Sequence, residues 1–73
     1  MKKFSNVATK VNEIVNVFKD GESLRGVEIS RRLKSRGYKV NEANIRMFIY
    51  HRMLYKHLRK EAIRGINHYS LIY

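Results

Sequence analysis

A chain of 73 residues has room for one domain with a small core, because a domain this short buries only about 60% of the surface its unfolded form exposes, so a single domain over residues 1–73 is expected. Cysteine is absent, which excludes a disulfide framework and a thiolate metal site; with neither a span of roughly 20 apolar residues nor a signal-peptide core in "MKKFSNVATK", a cytoplasmic protein without a membrane partner is expected. Sixteen Lys and Arg against six acids give a net charge of +10, and it is segregated: residues 1–30 hold five bases and four acids, residues 31–73 eleven bases and two acids, the asymmetry of a polyanion-binding half on a neutral support rather than of solubility alone.

Ser5 can cap a first helix, in which Val7, Val11, Ile14, Val15 and Phe18 recur at helical spacing and which Asp20-Gly21 closes. Lys10, Asn12, Glu13, Asn16 and Lys19 fill its other side, so it reads as a support. The stretch Glu22 to Gly26 is too short for more than a turn or a strand-like bridge. A second helix follows from about Val27 to Arg36, with Ile29 and Leu33 inward and Gly37 placed for a left-handed cap. Its outer side carries Arg31, Arg32, Lys34 and Arg36. A solvated face would look the same, but in a chain of this charge those bases suit phosphate contact.

Four residues after Gly37, including Asn41 as a cap, lead into a third helix from Glu42 to about Leu54. Two helices joined by a tight glycine-containing turn form a helix-turn-helix pattern. The third helix has two apolar faces, one of Ile45, Phe48, Ile49 and Met53, the other of Ala43, Met47, Tyr50 and Leu54, with Asn44, Arg46 and His51 beside the second. The last segment, "LRKEAIRGINHYSLIY", has two β-prone runs around Arg64-Gly65-Ile66-Asn67 and reads as a hairpin. Its first run alternates poorly, since Lys60 shares parity with Leu58 and Ala62, so a bulge is a possible outcome there.

"GVEISRRLKSRGYKVNEANIRMFIYHRML" as a helix-turn-helix, followed by "LRKEAIRGINHYSLI" as a wing, resembles a winged helix-turn-helix domain over almost the whole chain. Small basic proteins of this type are similar to the minimal transcription regulators of archaea and of their viruses and plasmids. The resemblance implies an α+β fold of three helices and a C-terminal hairpin, with the third helix in the major groove of double-stranded DNA and the wing on the flanking backbone or minor groove. Ile45, Phe48, Ile49 and Met53 would then be core, with Leu54 under the hairpin and Tyr50 either there or on DNA. The expected contacts are Arg31, Arg32 and Lys34 on the second helix, Lys39 and Asn41 in the turn, Asn44, Arg46, Met47, Tyr50 and His51 on the third helix, and Arg64 and Asn67 at the wing tip. Gly65 and Asn67 also read as plain turn formers. No additional dimerising helix is visible, so a monomer or weak homodimer is expected.

Other chemistry is poorly served. His51 and His57 are six residues apart, not the three or four that set two ligands on one helical face, so no metal is expected. The six acids are scattered and there is no glycine-rich phosphate loop, so neither an enzyme nor a cofactor is expected. Two further readings stay open: an architectural protein that coats DNA regardless of sequence, and an RNA-binding module that stacks bases on Tyr38, Tyr50 and Tyr55.

Overall fold

The computed structural model describes residues 3–72. It is of the α+β class, with three helices packed on a three-stranded antiparallel sheet. Helix α1 (Val7–Asn16) is capped by Asn6, not Ser5: the Asn6 side-chain oxygen accepts the Thr9 N–H at 2.8 Å, while the Ser5 hydroxyl lies 3.1 Å from that of Thr9. The helix stops at Asn16, short of the Asp20-Gly21 closure expected for it, and Val17 and Phe18 enter the core from the loop beyond. Val7, read as the start of the apolar stripe, is half exposed, one turn outside that core.

The segment expected to be only a turn or a bridge is a three-residue strand, β1 (Ser23–Arg25), with Leu24 buried. One polar-apolar-polar step is too little alternation to announce a strand, and its partner is 45 residues away, at Leu24↔Tyr69. Helix α2 (Gly26–Ser35) follows at once, with Ile29 and Leu33 fully buried. At its end the Gly37 N–H donates to the Lys34 carbonyl at 2.9 Å and the Tyr38 N–H to that of Leu33 at 3.1 Å. Gly37 has a φ of 92°. This pair of bonds closes the helix in the left-handed manner that glycine permits.

Helix α3 (Glu42–Phe48) begins at Asn41, whose side-chain oxygen accepts the N–H groups of Ala43 at 2.9 Å and Asn44 at 3.3 Å. It widens into a π-helical turn over Ile49–Met53, where the Leu54 N–H reaches the Ile49 carbonyl five residues back at 2.8 Å. Ile45, Ile49 and Met53 are buried. Phe48, expected with them, is only partly buried: its ring lies against α1 under the Lys10 ammonium, 4.4 Å from the centroid.

Strands β2 (Leu58–Ile63) and β3 (Ile66–Leu71) form a hairpin, and the sheet order is β1-β3-β2. The ladder runs unbroken from Leu58↔Leu71 to Ile63↔Ile66, so the poor alternation of the first run reflects no bulge. Lys60 does face the helix side of the sheet, opposite Tyr69. The turn is two residues, Arg64 and Gly65, with φ of 53° and 78°. Positive values at both central positions give the turn whose twist suits a tight hairpin. Asn67, read as a turn former, is therefore a strand residue. Leu24, Leu58 and Tyr69 close the core from the sheet side.

Candidate nucleic-acid interface

The helix-facing side of the hairpin extends past the core. There Lys60 and Asn67 stand across a groove from Ala43, Met47 and Tyr50 of α3, with Leu54 and Tyr69 also lining it. Met47 and Tyr50 are 58% and 65% exposed, so the second apolar face of α3 is open to solvent rather than packed beneath the hairpin. Leu54 does pack against the core. Burial pushes the Tyr69 phenol above its ordinary pKa.

A second recess adjoins the groove, bounded by the start of α2 (Arg25, Gly26, Val27), Glu42 of α3 and the hairpin tip (Gly65, Ile66). Arg46 and Asn67 line both spaces. The Arg46 side chain is 55% exposed, with its Nε 3.9 Å from a Glu42 carboxylate oxygen. That i, i+4 contact is loose and exposed, of a kind that contributes little. The guanidinium therefore keeps most of its donors available at the junction of α2, α3 and the hairpin.

The other expected contacts divide. Lys34 and Lys39 border one shallow recess at the α2–α3 turn, and Arg31 is exposed on α2. Asn44 on α3 and His51 on the π-helical turn are exposed outside the groove, with the His51 ring edge-on to Tyr50 at 5.2 Å. Among the described residues, none of Arg31, Lys34, Lys39, Lys60 and Arg64 forms an ion pair with a carboxylate. His51, His57 and His68 belong to no group of three potential metal ligands among those residues, and none of the helices is long and apolar enough to cross a membrane.

Two of the expected contact residues are engaged within the fold. The Asn41 side-chain oxygen serves the α3 cap, which leaves the amide N–H groups outside it. Arg32 faces the loop after α1: its guanidinium grips both carboxylate oxygens of Glu22, one at 2.7 Å, and donates to the Val17 carbonyl at 2.8 Å. Arg36 does likewise with Glu13 at 3.2 Å and the Asn16 carbonyl at 3.0 Å. Since Lys34 lies about 160° around the helix from Arg32, α2 has a structural basic flank and a free one.

The Arg32 hydrogen bond, then the Lys19 backbone N–H, hold the Glu22 carboxyl down at about 2, from an ordinary 4.5. A depressed carboxylate stabilises the fold fully above its unfolded pKa and loses that contribution as pH falls through the folded one. Melting followed from pH 5 to 2 will therefore fall less steeply in Arg32→Ala than in the parent. The same variant will melt lower at pH 7 and leave affinity for any polyanion nearly unchanged.

Lys60 was not among the expected contacts, although its parity with Leu58 and Ala62 places it on the groove side. Gly26 was read only as the end of the short stretch before the second helix, whereas α2 begins on it. Arg64 occupies a left-handed position that favours Asn, Asp or Gly. Arg64→Asn is expected to stabilise the fold by about 0.5–1 kcal/mol, read as a rise of a few degrees in melting temperature.

Comparison with known proteins yields no match: no family model fits the sequence, and neither a curated protein nor a solved structure matches it.

Proposed function

We propose that this protein is a winged helix-turn-helix regulator of transcription that binds double-stranded DNA, with α3 in the major groove and the β2–β3 hairpin as a wing on the flanking backbone or minor groove. The observation that carries the reading is the meeting of α3 and the hairpin around Arg46, Lys60 and Asn67, in the half of the chain that holds eleven of the sixteen bases. Arg46 presents a two-pronged donor suited to guanine, and Ala43 and Met47 suit thymine methyl groups. Arg31, Lys34 and Lys39 on one side and Lys60 and Arg64 on the other suit phosphates, which fix register without reading sequence.

The test is a titration on random duplex DNA and on duplexes selected from a random pool, with single-stranded RNA as competitor. Arg46→Ala is expected to cost roughly 1–3 kcal/mol on a selected duplex and much less on random DNA. Equal losses on both would make this a sequence-indifferent architectural binder. Displacement of duplex by RNA at equal concentration would move the function to RNA. Arg64→Asn, the more stable variant, is expected to bind both duplexes more weakly.

A further inference from the structure

We propose that Gly26 is a positioning residue for Arg46, its missing side chain leaving the channel along which the arginine stem reaches the junction of α2, α3 and the hairpin; the use of that placement in DNA recognition rests on the function proposed above. Of the four glycines, Gly21, Gly37 and Gly65 have φ of 70°, 92° and 78°, so the backbone itself accounts for them. Gly26 has no such φ and is a buried residue at the first position of a helix, so its backbone conformation does not call for glycine. Its reason is a neighbour. A Cβ placed on Gly26 would sit 2.7 Å from Arg46 Cγ and 3.0 Å from Cδ, well inside the roughly 3.5–4.0 Å at which unbonded carbons rest.

The two clashing atoms are in the middle of the arginine stem, not at its free end. Any side chain at position 26 must therefore rotate Arg46 away from its root. With glycine there, the stem passes against the start of α2, which narrows the directions open to it before any ligand arrives. A side chain ordered in advance loses less entropy on binding. That matters most for a planar fork that must meet two acceptors at once.

The experiment compares the parent, Gly26→Ala, Arg46→Ala and the double variant by thermal melting, by the ratio of affinities for selected and random duplex, and by the NMR signal of the Arg46 Nε–Hε group in the free protein. In Gly26→Ala the expected results are a shifted Arg46 Nε–Hε signal and a selectivity ratio reduced at least about fivefold, to near that of Arg46→Ala. The double variant is expected to be no less selective than Arg46→Ala, because a stem already removed cannot be displaced. Losses that multiply in the double variant, or an unchanged ratio in Gly26→Ala, overturn the proposal.

Should Gly26→Ala unfold, the double variant is expected to fold, since removing the stem removes the clash; a double variant that also unfolds overturns the proposal. Should the parent bind no duplex, the DNA reading fails by itself. The Nε–Hε signal then decides the placement alone: moved by Gly26→Ala it supports the role, unmoved it overturns it.

Discussion

Ile49→Ala is expected to destabilise the fold by about 2–5 kcal/mol, the range for emptying a buried aliphatic site. At about 0.05–0.15 kcal/mol per residue a domain of this length holds only about 4–11 kcal/mol in all, so the variant should melt some 10–40 °C lower or fail to fold. The cause is position: Ile49 has no exposed surface and sits between Ile45 and Met53 in the core. Met47→Ala, two residues earlier, removes a side chain that is 58% exposed in the groove. It should stay within about 0.5 kcal/mol of the parent while altering duplex affinity or preference. Phe48→Ala falls between them because that ring is only partly buried. Melting of the three variants beside a binding titration checks the assignment, and a stable Ile49→Ala with an unfolded Met47→Ala would invert the two faces of α3.

Affinity for any duplex is expected to collapse with salt. Neutralising Z phosphates gives a slope of about −0.9Z in log affinity against log salt, and the free cations on α2, the turn, α3 and the hairpin make Z about four to six. Raising salt from about 50 to 200 mM should thus weaken binding roughly 10²–10³-fold. Arg32→Ala should leave the slope unchanged, because that guanidinium already holds Glu22. Lys34→Ala, on the opposite flank, should reduce it by about one unit. A flat dependence would remove the nucleic-acid reading.

The parts of the fold written in local sequence were legible without coordinates. The period that buries Ile29, Leu33, Ile45 and Ile49, the Asn41 cap and the glycine after α2 each depend on residues within a turn or two of one another. Several of the assignments that failed depend on distant partners. Nothing near Arg32 in sequence announces that Glu22, ten residues earlier across a chain reversal, will hold it. β1 owes its strand character to β3, and Asn67 became a strand residue because Arg64 accepts a left-handed conformation that shortens the turn to two residues. The site shows the same division: α3 supplies a face readable from the wheel, whereas Lys60 and Gly26 join it through pairings that only the folded chain makes.

The π-helical turn after α3 has a consequence for rotational phase. At 100° per residue, four residues make a turn and about 40° more, so in a uniform α-helix Ile49 would lie about 40° past Ile45 and Met53 about 80° past it. That drift would carry Met53 toward solvent. A turn with five-residue bonds takes less angle per residue, which winds Met53 back beneath Ile49, and all three side chains are at most 1% exposed. On the outer side of that turn Tyr50, His51 and Arg52 follow one another in solvent. A helix that would otherwise precess off its seat keeps a straight seam.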